Sequence, residues 1–367
     1  MKEPLAIPSA TSCRWDVLSL GEVMLRFDPG TARVRTTRSF DVYEGGGEYN
    51  VARAASAVFG HRSAVVTAFV DNELGRLAER LIWAGGVHTG EVLWQPFDGS
   101  GSACRNGLNF TERGFGIRPA MGVSDRANTA VSQLKAGDID WRRIFAEEGV
   151  RWFHTGGIFA ALSPTTAEVA IEAVRSAKAS GTVVSYDLNY RPSLWESRGG
   201  TAAAAEVNRQ VAPHVDVMIG NEEDFTAGLG FDVPGLDEDI STVEASGFQS
   251  MIGSVVKKFP NLKAVATTLR TAKTASVNDW GAILWGAGDF HHARFRPDLE
   301  IFDRVGGGDG FASGLCDALL SGKSFAEAVD WGCTHGALTM TTPGDTSMVT
   351  KRDVERAVSA VGARVLR

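Results

Sequence analysis

Along the chain, short apolar runs rich in Val, Leu and Ile alternate with longer segments whose apolar positions recur at near-helical spacing. Strands buried on both faces read as continuous apolar runs, so this alternation predicts an α/β protein: a mostly parallel sheet with helices on both faces. Strands are expected at Trp15–Leu20, Ser63–Val70, Trp152–Thr155, Thr182–Asp187, Val215–Ile219 and Ala264–Thr268. Between the third and fourth, Ser163 stands as a helix N-cap with Pro164 at the first helical position, and Val169, Val174 and Ala177 follow on one face. Gly181 supplies the stop. The unit recurs without a long linker or low-complexity tract, so residues 1–367 are expected to form one continuous body, although the length alone would also suit about two domains.

Two stretches break the alternation, Met24–Glu44 and roughly Val92–Lys135, the second punctuated by glycines from Gly99 to Gly122. Both read as short strands and turns, and they predict a small antiparallel flap set beside the main sheet. Two long surface loops are the alternative, disfavoured because long structureless loops are uncommon in compact domains.

Composition narrows the class. With 367 residues, 44% of them hydrophobic and 22% charged, the chain can bury a large core, which excludes disorder. The net charge of −7 gives no global attraction to nucleic acid or anionic lipid. Cys13, Cys104, Cys316 and Cys333 lie far apart without CxxC spacing, which argues against a disulfide framework or a cysteine zinc site and for a reducing compartment. No apolar run approaches the roughly 20 residues of a membrane span, and the start lacks a signal-peptide core, so a soluble cytoplasmic protein is expected.

The most informative segment is Asp303-Arg304-Val305-Gly306-Gly307-Gly308-Asp309-Gly310, which opens a helix carrying Phe311, Leu315, Ala318 and Leu319. Three glycines before a helix N-terminus let backbone N–H groups approach an anion. A carboxylate at Asp309 would repel that anion unless it has another task, and accepting a proton from an attacking hydroxyl is such a task. A plain Gly-rich turn with an aspartate cap is the competing reading. Gly322-Lys323-Ser324 mimics the end of a Walker A loop, but Asp317 occupies the position of its first glycine, so it reads as a helix stop. Neither register of the triple glycine completes a GxGxxG fingerprint. A second Gly-rich site, Gly45-Gly46-Gly47-Glu48-Tyr49-Asn50, precedes a helix; its glycines would let a polyhydroxylated ligand press on the backbone and the Asn50 amide would serve hydroxyls, with a tight turn as the alternative.

Together these two segments resemble the ribokinase-like (PfkB) carbohydrate kinases, with GG-x-x-x-N near the N-terminus and D-x-x-G-x-G-D near the C-terminus. Gly21-Glu22, Asp187-Leu188-Asn189-Tyr190-Arg191-Pro192-Ser193-Leu194-Trp195, Asn221-Glu222-Glu223-Asp224 and Pro343-Gly344-Asp345 look like the 2-keto-3-deoxygluconate kinase branch. The resemblance implies a three-layer ribokinase-like fold with a β-sheet lid, and ATP-dependent phosphorylation of a sugar hydroxyl. It makes Asp309 the base and the amides of Gly306, Gly307 and Gly308 the anion hole, and it assigns Gly45, Gly46 and Asn50 to the sugar. Asn189, Asn221, Asp224, Thr268 and Arg270 would serve the nucleotide and Mg2+, with Asp224 one methylene shorter than the family's glutamate. A monovalent cation is left open, and no side chain is assigned as a direct metal ligand.

Arg126 and Arg191 match positions that bind the acid sugar in that branch, and arginine is the side chain best shaped for a carboxylate. Ser124 replaces the branch's tyrosine, and Asn109 stands where another tyrosine is common. The leading expectation is therefore an acid-sugar kinase, most naturally for 2-keto-3-deoxygluconate. A kinase for a neutral sugar such as fructose, and a weakly catalytic sugar-binding member of the fold, are the alternatives. The adjacent His291-His292 face opposite ways on a strand and suggest no metal, Asp237-Glu238-Asp239 reads as a solvated loop, and the nine tryptophans as packing. A small-molecule sugar is the expected partner, with no nucleic acid or membrane, and an exposed lid edge would favour a dimer through the lid.

Overall fold

The computed structural model describes residues 5–221, 223–231 and 245–359; Asp237-Glu238-Asp239 lies outside them. The strands are β1 (Trp15–Leu20), β2 (Met24–Asp28), β3 (Asp41–Gly45), β4 (Ser63–Val70), β5 (Val92–Gln95), β6 (Leu108–Glu112) and β7 (Met121–Asp125). They continue with β8 (Val150–Gly156), β9 (Val183–Asp187), β10 (Val217–Gly220), β11 (Ala264–Ala272), β12 (Val277–Gly286), β13 (Asp289–His292) and β14 (Arg296–Glu300). Each apolar run expected to be a strand is one, with ends shifted by no more than a few residues.

The main sheet runs β13-β12-β11-β10-β9-β8-β1-β4-β5, with β14 added against β12. It is parallel from β5 through β11 and turns antiparallel at β12. Side-chain alternation splits its two faces between two cores. Val17, Val183, Val217 and Ala266 pack with the helices Gly47–Ala57, Gly307–Leu320 and Phe325–Thr339, while Leu18, Val184, Met218 and Val265 pack with Pro164–Ala179, Gly200–Val211 and Ala245–Lys258. This is the three-layer arrangement with helices on both faces.

The local signals behave as their chemistry dictates. The Ser163 hydroxyl accepts the Thr166 N–H, Pro164 opens the helix Pro164–Ala179, and Gly181 adopts the left-handed conformation (φ 79°) that ends it. Gly322-Lys323-Ser324 is a helix stop: Gly322 is left-handed (φ 78°), and Ser324 caps the next helix. Between those helices the chain is squeezed; a Cβ on Gly314 would sit 2.9 Å from the Cα of Gly332, so the helix behind Asp309 is held against its neighbour by backbone contact.

The second sheet has the order β3-β2-β6-β7. Two details differ from the expected flap. It is mixed, because β2 and β6 pair in parallel; β1 and β5 run parallel within the main sheet, so the chain leaves the same edge twice in the same direction. Val92–Gln95 belongs to the main sheet, paired with β4, and Ala130, Val131 and Leu134 are buried in a main core cluster. The flap's second segment therefore contracts to its strands β6 and β7. An edge strand is only half-buried, and in sequence it cannot be told from a flap strand. No helix among the described residues is long and apolar enough to cross a membrane. The four cysteines are buried free thiols.

Candidate active site

A cavity of about 650 Å³ opens between the C-terminal ends of the parallel strands and the second sheet, where ligands bind in open α/β sheets. Its floor comes from residues at or just past the ends of β1, β9 and β10, namely Glu22, Asp187 and Asn221, and its roof from Asn109, Thr111 and Ser124 of the lid. Most of the lid residues at the cavity share one face: Asn109 and Ser124 are directly opposed across β6 and β7, as are Thr111 and Gly122, while Met121 joins them from the start of β7.

The two Gly-rich segments meet here. Asp309 lies in the first turn of the helix Gly307–Leu320, and its Oδ2 accepts a hydrogen bond from Asn50 Nδ2 at 2.6 Å. Asn50 Oδ1 in turn accepts the Gly46 N–H at 3.3 Å, which orients the amide so that its donor faces Asp309. Gly47 leaves room between them and Asn189: a Cβ there would stand 3.5 Å from Asp309 Oδ1 and 3.7 Å from Asn189 Nδ2. Asn189 itself holds the left-handed conformation, φ 34°. Gly306 is left-handed (φ 85°), and a Cβ on it would fall 2.0 Å from the carbonyl oxygen of Asp345. No residue but glycine fits that turn, and the first N–H groups of the following helix have no intrahelical acceptor.

Burial pushes the Asp309 carboxyl up from 3.8 to about 6, with the Asn50 hydrogen bond opposing and the Asp345 charge adding to the rise. It is ionised at neutral pH yet far more basic than a solvated aspartate, which suits a general base. Burial also pushes Glu48 up to about 7, against the pull of its own and the Phe159 amides. Asp187 is raised well above the usual range by burial and by the charges of Asp224 and Asp309, with Arg191 pulling it down. The corner formed by these groups is acidic; Arg191 pulls down the carboxyls of Asp187 and Asp309, and Arg126 that of Glu48.

Of the residues expected from sequence, Gly46, Asn50, Asn109, Arg126, Asn189, Arg191, Asn221, Asp224, Thr268, Arg270, Gly306, Gly308 and Asp309 line this one cavity. Gly45 and Gly307 are set back from the wall: Gly45 gives way to the Asp345 carboxylate and Gly307 to Met340. Asn221 and Asp224 cap each other, Asp224 Oδ2 accepting the Asn221 N–H at 2.7 Å and Asn221 Oδ1 accepting the Asp224 N–H at 2.9 Å. Asp224 Oδ1 also accepts the Tyr190 N–H at 2.6 Å. Arg126 donates through Nε and Nη2 to Glu22 Oε2, the first contact at 2.8 Å, so part of its fork is already committed to a buried carboxylate. Arg191 is exposed, and its Nη1 donates to the Tyr190 carbonyl at 3.0 Å. His291 and His292 are far from this site in role: one ring stacks on Phe325 and the other meets Gln249.

A model of the pfkB family carbohydrate kinases matches residues 15–352. The chain belongs to that family. It is 29% identical over 344 residues to the 2-dehydro-3-deoxygalactonokinase of Haloferax volcanii, covering 94% of this chain and 96% of that one. The structure of the 2-dehydro-3-deoxygluconokinase of Thermotoga maritima superposes with a TM-score of 0.85 at 34% identity, covering 94% and 99% of the two chains. Fructokinase-1 of Zea mays is 29% identical over 344 residues, with 89% and 92% covered. As a pfkB kinase the chain is a phosphotransferase, and the ribokinase-like fold inferred from its motifs is the fold it has.

Sequence reasoning gave no role to Glu22, Glu48, Asp187 or Asp345, although all four line the cavity. Glu22, Glu48 and Asp345 each directly follow a glycine, and Asp187 ends the apolar run Val183–Asp187; a carboxylate after a glycine or at the end of an apolar run was the available signal.

Proposed function

We propose that the chain transfers the γ-phosphoryl group of ATP to a hydroxyl of an acid sugar of the 2-keto-3-deoxygluconate class. The observation that carries this reading is the Asp309 carboxylate held by Asn50 at a glycine-rich helix N-terminus beside the exposed guanidinium of Arg191. Asp309 takes the proton of the sugar hydroxyl, whose oxygen bonds to the γ-phosphorus as the bond to the β-phosphate oxygen breaks and ADP leaves. The amides of Gly306 and Gly308 face the negative charge of the transferring group. Asn221, Thr268 and Arg270 flank the nucleotide. The carboxylates of Asp187 and Asp224 would offer hard oxygen donors to Mg2+ and its waters, which would supply neutralisation of phosphate charge when bound. Arg191 and the uncommitted edge of Arg126 bind the sugar's carboxylate.

A neutral sugar is the second reading, favoured by the Arg126–Glu22 pair and by the likeness to a fructokinase. Values of kcat/KM for ketodeoxygluconate, ketodeoxygalactonate, gluconate, fructose and ribose separate the two. The keto acids should lead, and Arg191→Ala should lower kcat/KM for them by about tenfold to a hundredfold while sparing fructose. Fructose leading on the wild type, or an equal loss on all five, overturns the acid-sugar reading. Pairing of lids in a homodimer is part of the same proposal, since among the described residues β7 is an edge of the second sheet, paired on one side; sedimentation at micromolar concentration tests it.

A further inference from the structure

The turn that carries Asp309 is anchored from the lid. Arg26 lies on β2, and its side chain is 1% exposed. Nη2 donates to Asp28 Oδ2 at 3.1 Å and to Asp303 Oδ2 at 2.5 Å, while Nη1 donates to Asp345 Oδ1 at 2.5 Å. Asp303 opens the glycine-rich turn, and its two oxygens also accept the N–H groups of Val305 at 3.1 Å and Gly344 at 3.3 Å. Asp345 closes the other side. Its carbonyl oxygen packs on Gly306, and its carboxylate lies 2.3 Å from where a Cβ on Gly45 would stand. One guanidinium thus ties together the lid strand, the turn before Asp309 and the 343–345 loop.

Stability by itself is a poor reason for this arrangement, because apolar replacements of buried ion networks are often neutral or stabilising. Arg113 adds a second positive charge on Asp28, at 3.2 Å, which still leaves three carboxylates against two cations. Burial raises the carboxyls of Asp303 and Asp345, and Arg26 pulls both back down. A network in this balance holds its members in one geometry, since any shift of the guanidinium leaves a buried charge without its partner.

We propose that Arg26 is a positioning residue for phosphoryl transfer: by clamping Asp303 and Asp345 from the lid, it fixes the Gly306–Gly308 amides and the Asp309 carboxylate at their working separation. The proposal rests on the kinase activity and not on which sugar is phosphorylated. Small misplacements of such groups cost rate more than affinity. Loss of the clamp therefore lowers kcat and spares sugar binding.

The test uses whichever sugar the wild type phosphorylates best, so an error in the substrate class shows in the wild type and an error about Arg26 shows only in the variants. Arg26→Lys keeps the charge but lacks the planar fork needed to reach three carboxylates, and Arg26→Met keeps bulk without charge. Folded Arg26→Lys should lose about tenfold to a hundredfold in kcat with the sugar KM within about threefold of wild type, and Arg26→Met should lose more. Arg113→Lys, which touches only Asp28 in this network, should stay within about twofold of wild type in kcat. A kcat for folded Arg26→Lys within about twofold of wild type, or a loss expressed as a raised sugar KM with kcat intact, overturns the proposal. If neither Arg26 variant folds, Asp345→Asn takes the test, because it keeps the shape and an accepting oxygen while removing one charge. A fall in its kcat at unchanged sugar KM supports the clamp, and an unchanged kcat refutes it.

Discussion

Replacing Asp309 by asparagine should inactivate the kinase and stabilise its fold at the same time. The carboxyl is pushed by burial from 3.8 to about 6, so above that pH the folded protein holds a charge it would more cheaply hold unfolded. A group whose folded value is raised adds stability only while it is protonated, and that contribution disappears as the pH climbs through the folded value. The difference of about two units corresponds to about 3 kcal/mol by which ionised Asp309 weakens the fold at pH 7.5. Asparagine carries no such charge, and its carbonyl oxygen can still accept the Asn50 N–H. Asp309→Asn should therefore raise the urea midpoint by an amount worth about 1 to 3 kcal/mol at pH 7.5, and the gap should shrink below about 1 kcal/mol at pH 4, where the wild-type carboxyl is protonated in the folded state. Turnover should fall on the order of 10² to 10⁴-fold, or about 3 to 5 kcal/mol of barrier, since the amide takes no proton. Two results would refute the reasoning. One is retention of more than about half the turnover with phosphoryl transfer rate-limiting; the other is a lowered urea midpoint at pH 7.5.

The same carboxyl sets an acid limb for the wild type: kcat/KM should decline toward a tenfold loss per pH unit below about 6, and a profile flat down to pH 5 excludes Asp309 as the titrating base. Gly306→Ala combines a left-handed backbone (φ 85°) with a Cβ 2.0 Å from the Asp345 carbonyl, so the turn must move; activity should drop at least tenfold, or about 1.4 kcal/mol or more of barrier, as read by initial rates on purified folded protein. Arg126→Met strands Glu22, whose carboxylate is 2% exposed, and should cost about 3 to 5 kcal/mol in urea unfolding, while the double variant Arg126→Met/Glu22→Gln should recover most of it.

Periodic and local features were legible from the residues alone. Apolar runs at Trp15–Leu20 or Ser63–Val70 can satisfy their backbone only in a sheet covered on both faces, and caps such as Ser163 act on N–H groups two or three residues away. The glycine-rich turn before Asp309 and the Gly46–Asn50 segment were equally readable, since a side chain at Gly306 is excluded by its own backbone conformation. Pairings between distant segments were not. Val92–Gln95 could pair with either sheet, and only the placement of β4 assigns it to the main one. Arg26 falls in the alternating stretch Met24-Leu25-Arg26-Phe27-Asp28, which on a half-exposed strand would send the arginine to solvent. It is buried because Asp303 and Asp345, more than 270 residues further on, converge on it. Arg126 likewise reads as a free carboxylate binder until Glu22 is found against it. The elevated carboxyl of Asp309 has the same origin, because desolvation and neighbouring charge belong to a position in space and only the fold creates that position.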